Sequence, residues 1–118
     1  MLFNKTKGNR VISRVKFAEG FLGKFKGLML EKRQNFDYAL VFDFEGEKKT
    51  GASIHMMFVF FPIDAVYLNK EKKVVDIAMS LKPFAINYTP RKKSAFLLEL
   101  PEGYAKGISI GDKISWKN

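Results

Sequence analysis

Apolar and polar positions alternate along much of the chain, and the period changes in ways that mark its elements. Val11, Val15 and Phe17 alternate with Ile12, Arg14 and Lys16, with Ser13 the exception on the first face. A period of two predicts one half-buried strand from Val11 to Phe17. Phe21, Leu22, Phe25, Leu28 and Met29 then recur at helical spacing, which predicts a short amphipathic helix over residues 18–29. Gly20, Gly23 and Gly27 weaken it by roughly 1 kcal/mol each against alanine, so packing must hold it.

Tyr38, Leu40, Phe42 and Phe44 share one face of a further strand, with Ala39, Val41 and Asp43 on the other. Phe44 to Lys49 reads as a polar connection. Ser53 to Phe61 is apolar on both faces, as in a central strand covered on each side. Pro62 has no amide hydrogen for a ladder and predicts a bend or bulge. Ile63 to Leu68 continues as a strand. Val74 to Met79 pairs back across the charged turn Asn69 to Lys73.

Lys82 to Ser94 carries Pro83, Pro90 and the run Arg91-Lys92-Lys93, and reads as an exposed loop. Ala95 to Leu100 places Phe96, Leu98 and Leu100 on one side of a strand that Pro101-Glu102-Gly103 ends. Tyr104 to Gly107 fits a single turn. Gly111-Asp112 is a hairpin dipeptide, expected to join Ile108–Ile110 to Ile114–Trp116. About seven short strands with one helix predict a mainly β fold, a β-sandwich or partly closed barrel.

Composition narrows the class. The 118 residues fit one domain, residues 1–118, and at 47% hydrophobic with 12 phenylalanines they bury enough apolar area to fold. The absence of cysteine removes disulfides, thiolate zinc sites and a cysteine nucleophile. The N-terminus turns polar by its fourth residue, unlike a signal peptide. The apolar stretch Ile54–Leu68 is shorter than the roughly 20 residues of a spanning helix and contains Pro62 and Asp64. A cytoplasmic protein without membrane association is the expectation. A net charge of +9 favours acidic partners, nucleic acid among them. Lysine-rich, cysteine-free surfaces also recur in heat-adapted proteins.

Gly27-Leu28-Met29, Leu40-Val41-Phe42, the block from Met56 through Pro62-Ile63-Asp64, and Phe96-Leu97-Leu98-Glu99-Leu100-Pro101-Glu102-Gly103 closing on Gly111-Asp112 occur in one order. That order resembles the family known as domain of unknown function 192, over roughly residues 9–116. The resemblance implies a jelly-roll-like β-sandwich with one helix, found in bacteria and archaea, and it implies no activity. Many relatives carry tryptophan-methionine-lysine-asparagine-threonine before the proline. Here the stretch is His55-Met56-Met57-Phe58-Val59, so a polar row has become apolar.

His55 is the only imidazole and shares a strand face with Met57, Val59 and Phe61. It fits a core or rim histidine bonded to backbone better than a metal ligand. Asp64 sits among apolar neighbours, where an unpartnered carboxylate costs several kcal/mol. It is therefore bonded by a backbone turn after Pro62, or it is an acid of raised pKa or an anchor for a ligand's polar group, in a cavity shared with His55. Asp112 fits an aspartate bonding the backbone of its own turn.

Basic residues gather at Lys24, Lys26, Lys32 and Arg33, at Lys70, Lys72 and Lys73, and at Arg91, Lys92 and Lys93. On one face they form an anion-binding patch; scattered, they are solvated turns. Three functions compete. The leading one is a non-enzymatic module binding an unidentified small ligand or protein, with His55, Asp64, Phe58, Phe60 and Phe84 as contact residues and no cofactor or metal. The second is a nucleic-acid-associated basic protein. The third is a hydrolase or metal-dependent enzyme using His55 with Asp64 or Asp76, although no nucleophile elbow, paired-histidine motif or phosphate loop is present.

Overall fold

The computed structural model describes residues 1–18, 33–48, 61–82 and 90–117. Among the described residues eight strands run in chain order: β1 (Leu2–Asn4), β2 (Asn9–Ile12), β3 (Val15–Phe17), β4 (Ala39–Lys48), β5 (Ile63–Leu68), β6 (Val74–Leu81), β7 (Ser94–Pro101) and β8 (Ile114–Trp116). One 3-10 turn, Arg33–Asn35, precedes β4. The strands form a small sheet ordered β2-β1-β8 and a larger one ordered β3-β4-β7-β5-β6. The fold is mainly β, and the described strands lie in two sheets that do not close into a barrel.

Alternation explains how β5 sits between two cores. Ile63, Ala65 and Tyr67 join Phe36, Tyr38, Leu40, Phe42, Phe61 and Leu97 on one face of the large sheet. Val66 and Leu68 join Val41, Leu98 and Leu100 on the other, where Leu2, Ile12 and Ile114 from the small sheet pack against them. Every residue of β5 is buried. A fully buried aliphatic side chain contributes roughly 1.5–3 kcal/mol, so this strand holds both layers together.

Several expectations need correction. Val11 to Phe17 is not one strand, because the chain changes sheets at Ser13-Arg14: β2 pairs with β1, whereas β3 runs parallel to β4. Ser13, the residue that breaks the alternation, stands at this crossing. The polar stretch after Phe44 is not a plain connection. β4 continues to Lys48 with its register against β7 shifted after Asp43, and Glu45 and Gly46 adopt φ of 57° and 127°. The Asp43 carboxylate steadies this irregularity by accepting from the Glu45 amide at 2.9 Å.

Ile108–Ile110 is not a strand. The Gly111 amide bonds Val74 instead, and β8 pairs with β1, a three-residue strand too short for its alternation to stand out. The predicted helix lies outside the described residues except for Ala18, whose amide bonds Val41 and extends the β3–β4 ladder. The strand Ser53–Phe61 lies outside them too, apart from Phe61, where the chain bends just ahead of Pro62 and β5.

A candidate ligand site beside a buried carboxyl

Asp64 and Glu99 stand one position apart in the paired strands β5 and β7. Asp64 lies opposite Leu100, and Glu99 lies opposite Ala65. Successive side chains point to opposite faces, so the two carboxyls enter different cores.

Asp64 is fully buried. Its Oδ1 accepts from the Ser80 amide at 2.9 Å, and its Oδ2 from the Gly103 and Ala105 amides at 2.9 and 3.0 Å. The donors come from two irregular segments. β6 carries an extra residue where Ile63 pairs with Leu81 and Ala65 with Ala78, and Ser80 there adopts φ of 52°. Gly103, at φ of 94°, takes a conformation that suits a residue without Cβ and turns its amide toward the carboxylate. The amides that hold Asp64 therefore come from the β6 bulge and the 101–107 turn, not from a turn following Pro62.

Glu99 faces the aromatic core, alternating with Leu97 and Pro101 along β7 and flanked by Leu40 and Ala65. It is 6% exposed. Among the described residues, its Oε1 is the one buried side-chain oxygen without a hydrogen-bond partner. Loss of hydration pushes its acidity constant up to about 8, which leaves the carboxyl mostly protonated at neutral pH. Sequence reasoning missed this residue. The signal was present: a lone acidic position on the second face of a strand whose other neighbours on both faces are apolar.

A cleft of about 140 Å³ opens at the Pro101 end of this same face, lined by Arg33, Phe36, Phe61, Pro62, Pro101 and Glu102. Phe36 packs edge-on against Tyr38 with centroids 5.1 Å apart and tilts against Phe61 at 5.6 Å. An exposed ion pair between Arg33 and Glu102, 3.5 Å apart, stands at its rim. Glu99 lies two residues from Pro101 on the same side of β7, one row of side chains inward from the cleft.

The other buried aspartates are engaged. Asp76 accepts from the Ile77 and Arg91 amides, both at 2.9 Å, and pairs with the Arg91 guanidinium at 3.4 Å. Asp112 accepts from the Asn4 side chain at 2.8 Å, the Ser109 amide at 2.9 Å, and Lys7 at 3.2 Å. Chiefly the Asn4 bond holds its acidity constant below the ordinary aspartate value.

Of the contact residues expected from sequence, Asp64 is placed as above. His55, Phe58, Phe60 and Phe84 lie outside the described residues. The basic clusters separate. Leu68 pairs with Phe96, so the 69–73 turn and the 91–93 segment leave the same end of the large sheet, bringing Lys70, Lys72, Lys73, Arg91, Lys92 and Lys93 together there. Arg33 stands at the opposite end, beside Pro101. Lys24, Lys26 and Lys32 lie outside the described residues. Among the described residues no helix is long and apolar enough to cross a membrane.

Comparison with known proteins bears on the whole chain. A UPF0127 protein of Thermococcus kodakarensis is 40% identical over 118 residues, covering 98% of this chain and 73% of the relative. A UPF0127 protein of Pyrococcus furiosus is 35% identical over 117 residues, covering 98% and 97%. A crystal structure of a protein of unknown function from Novosphingobium aromaticivorans superposes with a TM-score of 0.78 at 23% identity, covering 86% of this chain and 74% of the other. A putative transcription regulator from Sinorhizobium meliloti superposes with a TM-score of 0.77 at 24% identity, covering 86% and 79%. Both share the fold. The model of the domain of unknown function 192 family, described as Uncharacterized ACR, matches residues 2–116, and the chain belongs to that family.

Proposed function

We propose that this protein is a non-enzymatic module that binds a small, largely apolar molecule on the Phe36–Phe61 face of the large sheet, with Glu99 as its polar anchor. The observation that carries this reading is the bare Oε1 of Glu99, one row behind an aromatic cleft. A buried oxygen without a partner costs roughly 1–3 kcal/mol, and such a group in a native core calls for an explanation. Pockets for small molecules pair apolar walls with a few placed polar groups, and here the rings of Phe36 and Phe61 stand beside Arg33 and Glu102, with Glu99 one row behind them.

The chemistry of the anchor limits the ligand. A mostly protonated carboxyl donates one hydrogen bond and accepts another, so it suits a carboxylic acid, amide or alcohol on an apolar body. The neighbouring carboxylate does not offer the same service. The oxygens of Asp64 are already taken by backbone amides, which favours an anchor for local structure over a proton carrier.

The test is a thermal-shift screen of small aromatic acids, amides and alcohols at pH 6, repeated with Glu99→Met. Compounds should raise the melting temperature of the parent protein and fail on the variant, and their effect should fade above pH 8. Hits acting equally on both proteins would place the site elsewhere. No hit at all, together with a clear loss of stability in Glu99→Met, would make Glu99 a structural residue and end the reading.

A further inference from the structure

We propose that the end of the large sheet carrying the 69–73 turn and the 91–93 segment binds single-stranded nucleic acid, through lysines arranged around the Phe96–Trp116 pair. This site is independent of Glu99, because it stands on different residues and a different kind of partner.

The topology builds the patch. β5 and β7 end together at Leu68 and Phe96, which puts two separate runs of basic residues side by side. Asp76 fixes the second run by accepting the Arg91 amide and pairing with its guanidinium. Lys73 bridges to Lys113, and the Lys113 ammonium bonds the Glu71 carbonyl, adding one more cation. Two of the acids at this end, Asp76 and Asp112, are buried and engaged. Glu71, Asp43 and Glu45 are exposed there, Asp43 directly opposite Phe96.

Aromatic rings make the patch more than a set of solvated lysines. Phe96 and Trp116 are half-buried and packed edge to face at 5.2 Å, the indole at the lip of the small sheet. The Lys72 ammonium sits 4.2 Å from the Trp116 centroid and 5.8 Å from that of Phe96. Lys72 itself is held at φ of 63°. A ring face that attracts an ammonium also stacks a nucleobase, and Lys72 displaced from it is within reach of the adjoining phosphate. Cations that follow a backbone, around rings on which bases stack, are the two components of single-strand recognition. Unpaired bases expose the π-face this requires, whereas a duplex hides it.

The probe is a twenty-nucleotide oligothymidylate titrated at low salt, read by the fluorescence of Trp116, the only tryptophan in the chain. Binding should quench that emission. Contacts to three to five phosphates at about −0.7 each give a log–log salt slope of about −2 to −3.5. Lys92→Gln/Lys93→Gln should weaken binding and flatten the slope by about 1.4 if both contact phosphates. Asp43→Asn, which removes a like charge beside the rings, should tighten binding. Glu99→Met should change nothing here. Binding with unaltered Trp116 emission, equal affinity for duplex of the same length, or preference for vesicles of anionic lipid would each overturn the proposal. So would the absence of binding at low salt.

Discussion

Asp64 and Glu99 are neighbours across the β5–β7 ladder, yet the fold treats them in opposite ways. Asp64 is enclosed by three amides from the β6 bulge and the 101–107 turn, two segments that leave the regular ladder where they meet it. Glu99 enters an aromatic core where one of its oxygens meets no donor. The difference teaches what burial alone does not: a buried carboxylate organises structure where the backbone turns its amides inward, and stays an uncompensated polar group where regular strands keep theirs in the ladder. That contrast is why Glu99, and not Asp64, is the better marker of a ligand site.

Breaking the enclosed partner should have the largest effect. Asp64→Ala leaves three amides without an acceptor, that of Ala105 buried and those of Ser80 and Gly103 part-buried, and at roughly 1–3 kcal/mol for a buried unsatisfied group the loss should reach about 3 kcal/mol. Denaturant unfolding measures it. A loss below 1 kcal/mol would mean that water or other acceptors replace the carboxylate, and the contrast would collapse.

Glu99→Met tests the other half. Replacing a buried carboxyl whose Oε1 has no partner by an apolar side chain of similar size should raise stability at pH 7 by roughly 1–3 kcal/mol. The pH dependence gives the sign independently. Folded Glu99 titrates at about 8 and the unfolded side chain near 4.5, so between those values the native state holds the extra proton. Parent stability should therefore fall relative to the variant as pH rises through this window, by at most about 1.4 kcal/mol per unit. A difference that stays flat from pH 5 to 8 would show that burial leaves the carboxyl unshifted.

Asp112 sharpens the comparison from the opposite direction. Its acidity constant is lowered by the Asn4 bond first, so the stability it contributes is present above the ordinary aspartate value and is lost as pH falls through the depressed one. Asn4→Ala should thus reduce stability at neutral pH and soften the acid limb of the unfolding profile. The smallest effect belongs to Arg14→Ala. The Arg14–Asp37 pair, at 2.6 and 2.8 Å, is more than half exposed on both sides. Exposed pairs contribute about 0–1 kcal/mol, and added salt should remove most of that.

Three strands of the large sheet were legible in the residue pattern. The continuous apolar run over 63–68, the apolar stretch 74–79 returning across a charged turn, and the alternation over 95–100 marked β5, β6 and β7 to within a residue or two at each end, because a strand buried on both faces is apolar throughout and one buried on a single face repeats every second residue. The sequence also marked Asp64 as a carboxylate in need of partners. Only the tertiary structure decided who those partners are, because they are backbone amides far along the chain and any residue type carries one. The same holds for β1 and β8: three-residue strands have too little alternation to detect, and long-range pairing defines them. Glu99 was written in plain view, inside a run of leucines. Its meaning depends on the absence of a donor, and the absence of a donor is a property of the packed molecule.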